Sequence, residues 1–232
     1  MDSTSSSVKV LPGNPPVELV LRRSARARRM TLRVSSLDGR VSLTRPSFVS
    51  EAEAMAFAAE KADWLRKAVG RTVAPRTIAM GVAVPVAGVE RPILPGRPGI
   101  GEAGVMVREN RPVGPQVAAI LREVARARLT EASRRYADRL GVKIGRITLR
   151  DTRSRWGSCT ARGDLMYSWR LVMAPPDVLD YVAAHEVAHL RHMDHSPAYW
   201  RVVESVRPDW RDQRAWLRLH GGTLHAWRFD GD

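Results

Sequence analysis

The run HEVAHLRHMDH packs four of the chain's six histidines into residues 185–195. His185 and His189 are four apart, so on a helix they share one face, about 6 Å apart along the axis, and both imidazoles can converge on one ion. Glu186 lies one step round the cylinder, placed to reach a water on that ion rather than to ligate it. Such a set can hydrolyse: a cation acidifies a water and a carboxylate takes its proton. The surrounding VLDYVAAHEVAHL is apolar nearly all round, which predicts a buried helix. Burying two histidines and a carboxylate costs several kcal/mol unless each finds a partner, and one divalent cation with its water satisfies all three. The competing arrangement is a pair of hydrogen-bonded core histidines with Glu186 paired to an arginine.

The pattern from His185 to His189 is the H-E-x-x-H of zinc peptidases. A third ligand must come within about 2.1 Å of the ion. In a continued helix His192 lies about 10.5 Å along the axis from His185, too far to share it. His195 succeeds if the helix ends near Arg191 or His192 and the chain turns back through Met193-Asp194. Ser196 then caps, and Pro197 opens, a following helix. The spacing from His185 to His195 equals that of the extended metalloprotease motif, with His192 where glycine is usual. Glu204 is the reserve ligand. His192 reads as a supporting or exposed residue, and His220 and His225 as surface groups. The expected site is one Zn2+ per chain on His185, His189 and His195, with Glu186 as general base and one position left for water.

The elements that position this set follow from pattern and punctuation. Residues 1–16, rich in Ser, Pro and Gly, read as a mobile tail. VELVL, MTLRV and VSL read as three strands, with Asp38-Gly39 as a hairpin turn. Arg22, Arg23, Arg26, Arg28 and Arg29 lie among them, as a solvated face in preference to a polyanion strip. Ser50 caps one helix from Glu51 to about Val69, with Met55, Phe57, Ala58, Trp64, Leu65 and Ala68 as its buried stripe. Residues 71–114 carry short strands between Gly-Pro loops. From Pro115 helical spacing runs to Gly141, then the strand ITLRD, the run SRWGSC, the strand LMYSWRLVM, and Pro175-Pro176-Asp177 opening the histidine helix. The order is α+β: residues 17–114 form a β-rich region with one helix, and 115–232 a core of helix, short antiparallel sheet and helix.

Composition sets outer limits. The chain has 232 residues and a formal charge of +14. Only Lys9, Lys61, Lys67 and Lys143 are lysine among 38 basic residues, so the excess is arginine. It is spread along the chain, which fits base composition as well as a nucleic acid partner. A single cysteine, Cys159, excludes an internal disulfide framework and fits a reducing compartment. No signal-peptide pattern or run of about 20 apolar residues occurs, so a cytoplasmic protein without membrane spans is expected.

Arg155, Trp156 and Gly157 are candidate substrate-binding residues. A glycine in a strand-like run marks a bulge or close backbone approach, and an edge strand there can pair with an extended peptide. Equally, Trp156 and Trp169 can pack under the sheet. Tyr199, four after His195, can reach a developing oxyanion or pack in the core. The run TRSRWGSC, with GDLMYSWRLVMAPPDVLDYVAAHEVAHLRHMDHSPAYW, resembles the YgjP-like metallopeptidases, relatives of the SprT-like and Wss-type zinc proteases. RRSARARRMTLRV, the Trp64 helix and WLRLHGG resemble them too. The resemblance implies a zincin-type core behind a β-rich region, zinc on His185, His189 and His195, and Glu186 as base. Peptide or protein substrates are expected. The alternatives are metal-dependent cleavage of a nucleoside triphosphate such as UTP, and a basic nucleic-acid-binding module with a structural zinc.

Overall fold

The computed structural model describes residues 6–35, 39–70 and 73–230, which fall into two compact units, Met1–Ala74 and Pro75–Asp232. In the first unit, strands β1 (Ser6–Leu11), β2 (Val17–Ser24), β3 (Thr31–Val34) and β4 (Val41–Pro46) form one sheet in the order β1-β2-β4-β3. β2 and β4 pair in parallel and the other neighbours antiparallel. Alternate residues Leu19, Leu21, Val41 and Leu43 are buried with Ala54, Ala58 and Leu65. β3 and β4 pair antiparallel as expected, although Asp38 of the anticipated turn lies outside the described residues.

Two expectations are corrected here. Residues 6–11 are a strand rather than a tail: Val8 pairs with Val20 and Val10 with Glu18, while both valines stay exposed. Main-chain bonding to β2 holds β1, which composition does not register. The single expected helix is two, α1 (Glu51–Glu60) and α2 (Ala62–Gly70), separated at Lys61. Ser50 caps α1 as expected, with Glu53 closing a capping box. Trp64, placed in the buried stripe, is 51% exposed: the buried face runs through Ala54, Ala58 and Leu65, and Trp64 lies about 100° round the helix from Leu65. Arg22, Arg23, Arg26, Arg28 and Arg29 face solvent.

The second unit begins with β5 (Arg76–Thr77), β6 (Ala83–Val86), β7 (Val89–Pro95), β8 (Gly99–Ile100) and β9 (Val105–Val107). The last four make a sheet in the order β6-β7-β9-β8. Helix α3 (Val113–Leu140) buries Val117, Leu121, Ala125, Leu129, Ala132 and Tyr136 at helical spacing and stops at Gly141, whose φ of 59° suits a residue without Cβ. The strands β10 (Ile147–Arg150), β11 (Gly157–Cys159) and β12 (Leu165–Ser168) follow, then a 3-10 turn (Trp169–Met173), α4 (Pro176–Ala188), α5 (Pro197–Val206), α6 (Trp210–Ala226) and β13 (Trp227–Arg228), which pairs with β5.

The α+β class expected from sequence is observed. The division after residue 114 is not. Val84, Ile93, Val105 and Val107 share one core with Leu121, Leu129, Leu171 and Val182. The turn between β6 and β7 also donates Ala87 N–H to Val172 O at 2.8 Å. The small sheet is mixed, order β10-β12-β11, with β10 parallel and β11 antiparallel to the central β12. The loop 151–156 crosses the end of β12 before β11 runs back, which makes the outer pair unlike.

Arg170 locks the end of this unit. Its guanidinium forks onto Asp151 at 2.7 and 3.0 Å and donates to the carbonyls of Leu224 and Trp227 at 2.9 and 3.0 Å. It is 8% exposed, so its removal leaves buried acceptors unmet. Arg170→Met is expected to lower unfolding free energy by roughly 2–4 kcal/mol, read from the urea midpoint.

Candidate metal centre

Helix α4 enters through Pro176 in its first turn, with Asp177 at its positive end paired to Arg207 at 2.6 Å. It buries Val178, Leu179, Val182, Ala183, Val187 and Ala188 on several sides at once. His185 and His189 project from the same face with ring centroids 5.1 Å apart and planes perpendicular. The helix ends earlier than expected, at Ala188, with His189 as its C-cap in right-handed helical backbone. Ser196 caps α5 and Pro197 opens it, as the sequence anticipated.

The bend brings His195 back. Its Nε2 lies 3.2 Å from His185 Nε2, and its ring centroid is 4.8 Å from that of His189. Donor atoms of His185, His189 and His195 all fall within 4.8 Å of one another and can hold a metal ion. In a tetrahedral shell with nitrogen ligands at about 2.05 Å, neighbouring nitrogens sit about 3.3 Å apart, so the 3.2 Å pair fits. His192, at the usual glycine position, costs no strain: among described residues Ala87 is the one non-glycine at positive φ. The His192 ring is exposed, and its carbonyl accepts from His189 Nδ1 at 3.2 Å, leaving Nε2 of His189 to face the cluster.

Electrostatics agree with ligation by neutral rings. Burial pushes the His185 pKa down to about 3, helped by His189 and His195, and burial also lowers that of His189. His185 Nδ1 is buried without a hydrogen-bond partner, and its Nε2 faces another imidazole. A ring left so poorly satisfied suits a cation.

Glu186 is 5% exposed, and burial raises its pKa to about 8 against the pull of Arg155. Its carboxylate lies under Gly157 of β11: a Cβ built there would stand 2.5 Å from Glu186 Oε1 and 2.6 Å from its Cγ. The glycine is thus a close approach of strand to carboxylate. β11 is an outer strand of the sheet, so one of its edges faces away from β12.

Tyr199 and Trp156 take the packed alternative that the sequence left open. Tyr199 is fully buried, donates its hydroxyl to His185 O at 2.9 Å and stacks on His189 at 4.6 Å, so it braces the histidines. The Trp156 ring lies 4.8 Å from that of His225 with the planes tilted by 37°, and packs against Gly221 of α6. His225 is 7% exposed, a correction to the surface placement. Glu204 is exposed and pairs with Arg211 at 2.6 Å, away from the cluster. Arg155 is exposed beside Gly157. Cys159 keeps its proton, with burial and Glu186 lifting its pKa to about 11. Sequence reading missed Arg214, which lies over Trp200 at 5.0 Å and adds positive potential at His185. No local signal marks it, because only the packing of α6 on α4 brings it there.

A family model described as YgjP-like, metallopeptidase domain, matches residues 28–220. The chain belongs to the YgjP-like family. Its matched span includes the three histidines, Glu186 and Gly157, and places this YgjP-like chain among the metallopeptidases, a class of hydrolases. A solved structure, the metallopeptidase zymogen of Pyrococcus abyssi abylysin, is similar at 21% identity over 39% of this chain and 94% of that one, with a TM-score of 0.35. No curated protein matches the chain. No helix among the described residues is long and apolar enough to cross a membrane.

Two expectations follow from this packing. Gly157→Ala is expected to lower stability by roughly 1–3 kcal/mol, and the loss should shrink in a Glu186→Ala background, as thermal unfolding of the four proteins would show. The second concerns pH. Burial and Arg170 hold the His225 pKa near 4 against an ordinary 6.5, so the unfolded chain takes the proton first. The stability this contributes is present above pH 6.5 and is lost as pH falls towards about 4. His225→Phe keeps a ring against Trp156 without titrating, and its urea midpoint should fall less across that window.

Proposed function

We propose that this chain is a zinc-dependent peptidase that holds one Zn2+ on His185, His189 and His195 and uses Glu186 as general base. Three imidazole nitrogens gathered beside a buried carboxylate on one helix carry the assignment. The donor set is neutral nitrogen, which suits a borderline-soft divalent ion. When bound, such an ion supplies a Lewis acid that polarises a carbonyl and lowers the pKa of a water.

The chain's own residues do the rest. Glu186 takes a proton at its carboxylate and returns it to the leaving amine, a role suited to a buried acid whose protonated form is accessible near neutral pH. Gly157 lets the strand and the carboxylate come close, which sets where Glu186 can point. Tyr199 fixes the last turn of α4 through the His185 carbonyl, and the His192 carbonyl orients the His189 ring. The free edge of β11 offers main-chain N–H and C=O groups to an extended peptide, giving sequence-tolerant docking beside Glu186.

Glu186→Gln is expected to keep one zinc per chain by elemental analysis while losing peptide hydrolysis by a factor of about 10²–10⁴. His185→Ala should release the metal. Casein-derived peptides and UTP, offered separately to metal-loaded protein, distinguish the main alternative. Product from UTP but never from peptide, abolished in Glu186→Gln, overturns the peptidase assignment.

A further inference from the structure

Beside β11 the solvent face of the small sheet carries a cleft of about 350 Å³. Arg146 and Arg150 flank Thr148 along β10, and Arg155, Ser158 and Thr160 come from the β11 side. One row of the pairing register joins Thr148 to Met166 and Met166 to Ser158, so the three side chains share a face. Gly157 faces Glu186 on the other side of the sheet, and Ser158, its neighbour, therefore faces the cleft.

The charge in the cleft is one-sided. Three arginines line it against one aspartate, a net +2. Asp164 accepts from the backbone N–H of Arg146 at 2.9 Å, not from its guanidinium. Arg170, Arg207 and Arg211 are paired with carboxylates, whereas Arg146 and Arg150 have no ion-pair partner among the described residues. The Thr160 oxygen accepts from Asp164 N–H at 3.1 Å, which leaves its own hydroxyl proton to donate.

We propose that this cleft selects acidic side chains, Asp or Glu, at alternate positions of the extended segment docked on β11. The inference rests on the peptide-docking reading above. A residue placed opposite Ser158 across the free edge directs its side chain to the same face, with its Cβ about 5 Å from that of Ser158. Its two neighbours along the segment point towards the Glu186 side. A carboxylate on the cleft side meets Arg155 together with the Ser158 and Thr160 hydroxyls, in the field of Arg146 and Arg150. Guanidinium and hydroxyl donors of this kind favour carboxylate over amide or ammonium. No aromatic side chain lines the cleft, so it lacks the stacking platform on which a single-stranded nucleic acid would rest its bases.

The test uses the full chain loaded with zinc and three peptides that differ only at alternate positions: Asp/Glu, Asn/Gln or Lys. Binding is measured by fluorescence anisotropy on Glu186→Gln protein, and kcat/KM on wild type. The acidic peptide is expected to be favoured over its amide counterpart by about tenfold in both. That preference should decline between low and moderate salt and turn towards the Lys peptide in an Arg146→Glu/Arg150→Glu variant of unchanged Tm. Equal binding of acidic and amide peptides, a preference that survives the double reversal, or no binding of any peptide overturns the proposal. So does a single-stranded oligonucleotide that binds wild type, is lost in the double reversal and is not displaced by the acidic peptide. Acidic preference in binding without cleavage of any peptide would end the peptidase assignment and leave the cleft standing. Cleavage without charge preference would do the reverse.

Discussion

Helix α4 has almost no solvent-facing side, yet it carries His185, Glu186 and His189 in consecutive turns. Polar side chains taken out of water need partners, and the fold supplies few by itself: Nδ1 of His185 has none, and Glu186 has only the distant pull of Arg155. Much of the surrounding architecture is intelligible as the consequence of that unmet demand. The chain reverses directly after Ala188 to bring a third imidazole back, and the reversal puts His195 Nε2 3.2 Å from His185 Nε2. Three gathered nitrogen donors, with burial lowering the basicity of His185 and His189, are a poor arrangement for a core and a good one for a cation.

The same demand reaches outward through the groups that hold the histidines still. Tyr199 gives its hydroxyl to the His185 carbonyl, at the end of α4 where main-chain acceptors lack helical partners. Gly157 brings β11 down on Glu186, and this close approach sets the edge of the sheet at the height of the carboxylate. Trp156, the residue before Gly157, packs on His225 and Gly221 of α6, and Arg170 ties the end of α6 to Asp151. The residue before the close approach thereby packs into the scaffold and holds the start of β11.

What could be read from the sequence was what obeys local rules. The helices around Leu121 and Val182, the Ser50 and Ser196 caps, and the turn that returns His195 all follow from periodicity, punctuation and the reach of an imidazole. What could not be read depends on pairing between distant segments. β1 is held by main-chain bonds while Val8 and Val10 stay exposed, so its composition resembles a tail. The core shared by Val84 and Leu121 removes the boundary that the Gly-Pro loops suggested. His225 sits in a stretch rich in polar residues and is buried because Trp156, 69 positions away, comes to meet it. The early end of α4 at Ala188 is a smaller case: the His189 ring remains in register whether or not its backbone continues the helix.

The arginine excess divides along the same line. Arg66 donates to Pro12 and Pro15 carbonyls, Arg139 to Val206, Arg191 to Leu140 and Arg170 to Leu224 and Trp227. Each sits where a strand, turn or helix end leaves a carbonyl without a ladder partner, and a guanidinium with five donors satisfies such acceptors more readily than an ammonium. These four arginines are in this sense substitutes for missing main-chain partners. The arginines of the sheet cleft differ in kind: Arg146 directly precedes, and Arg150 ends, a strand already paired to β12, and both are exposed. A field summed over the whole surface can attract any acidic chain, but a preference at one position of that chain needs donors fixed to a strand, and these two are.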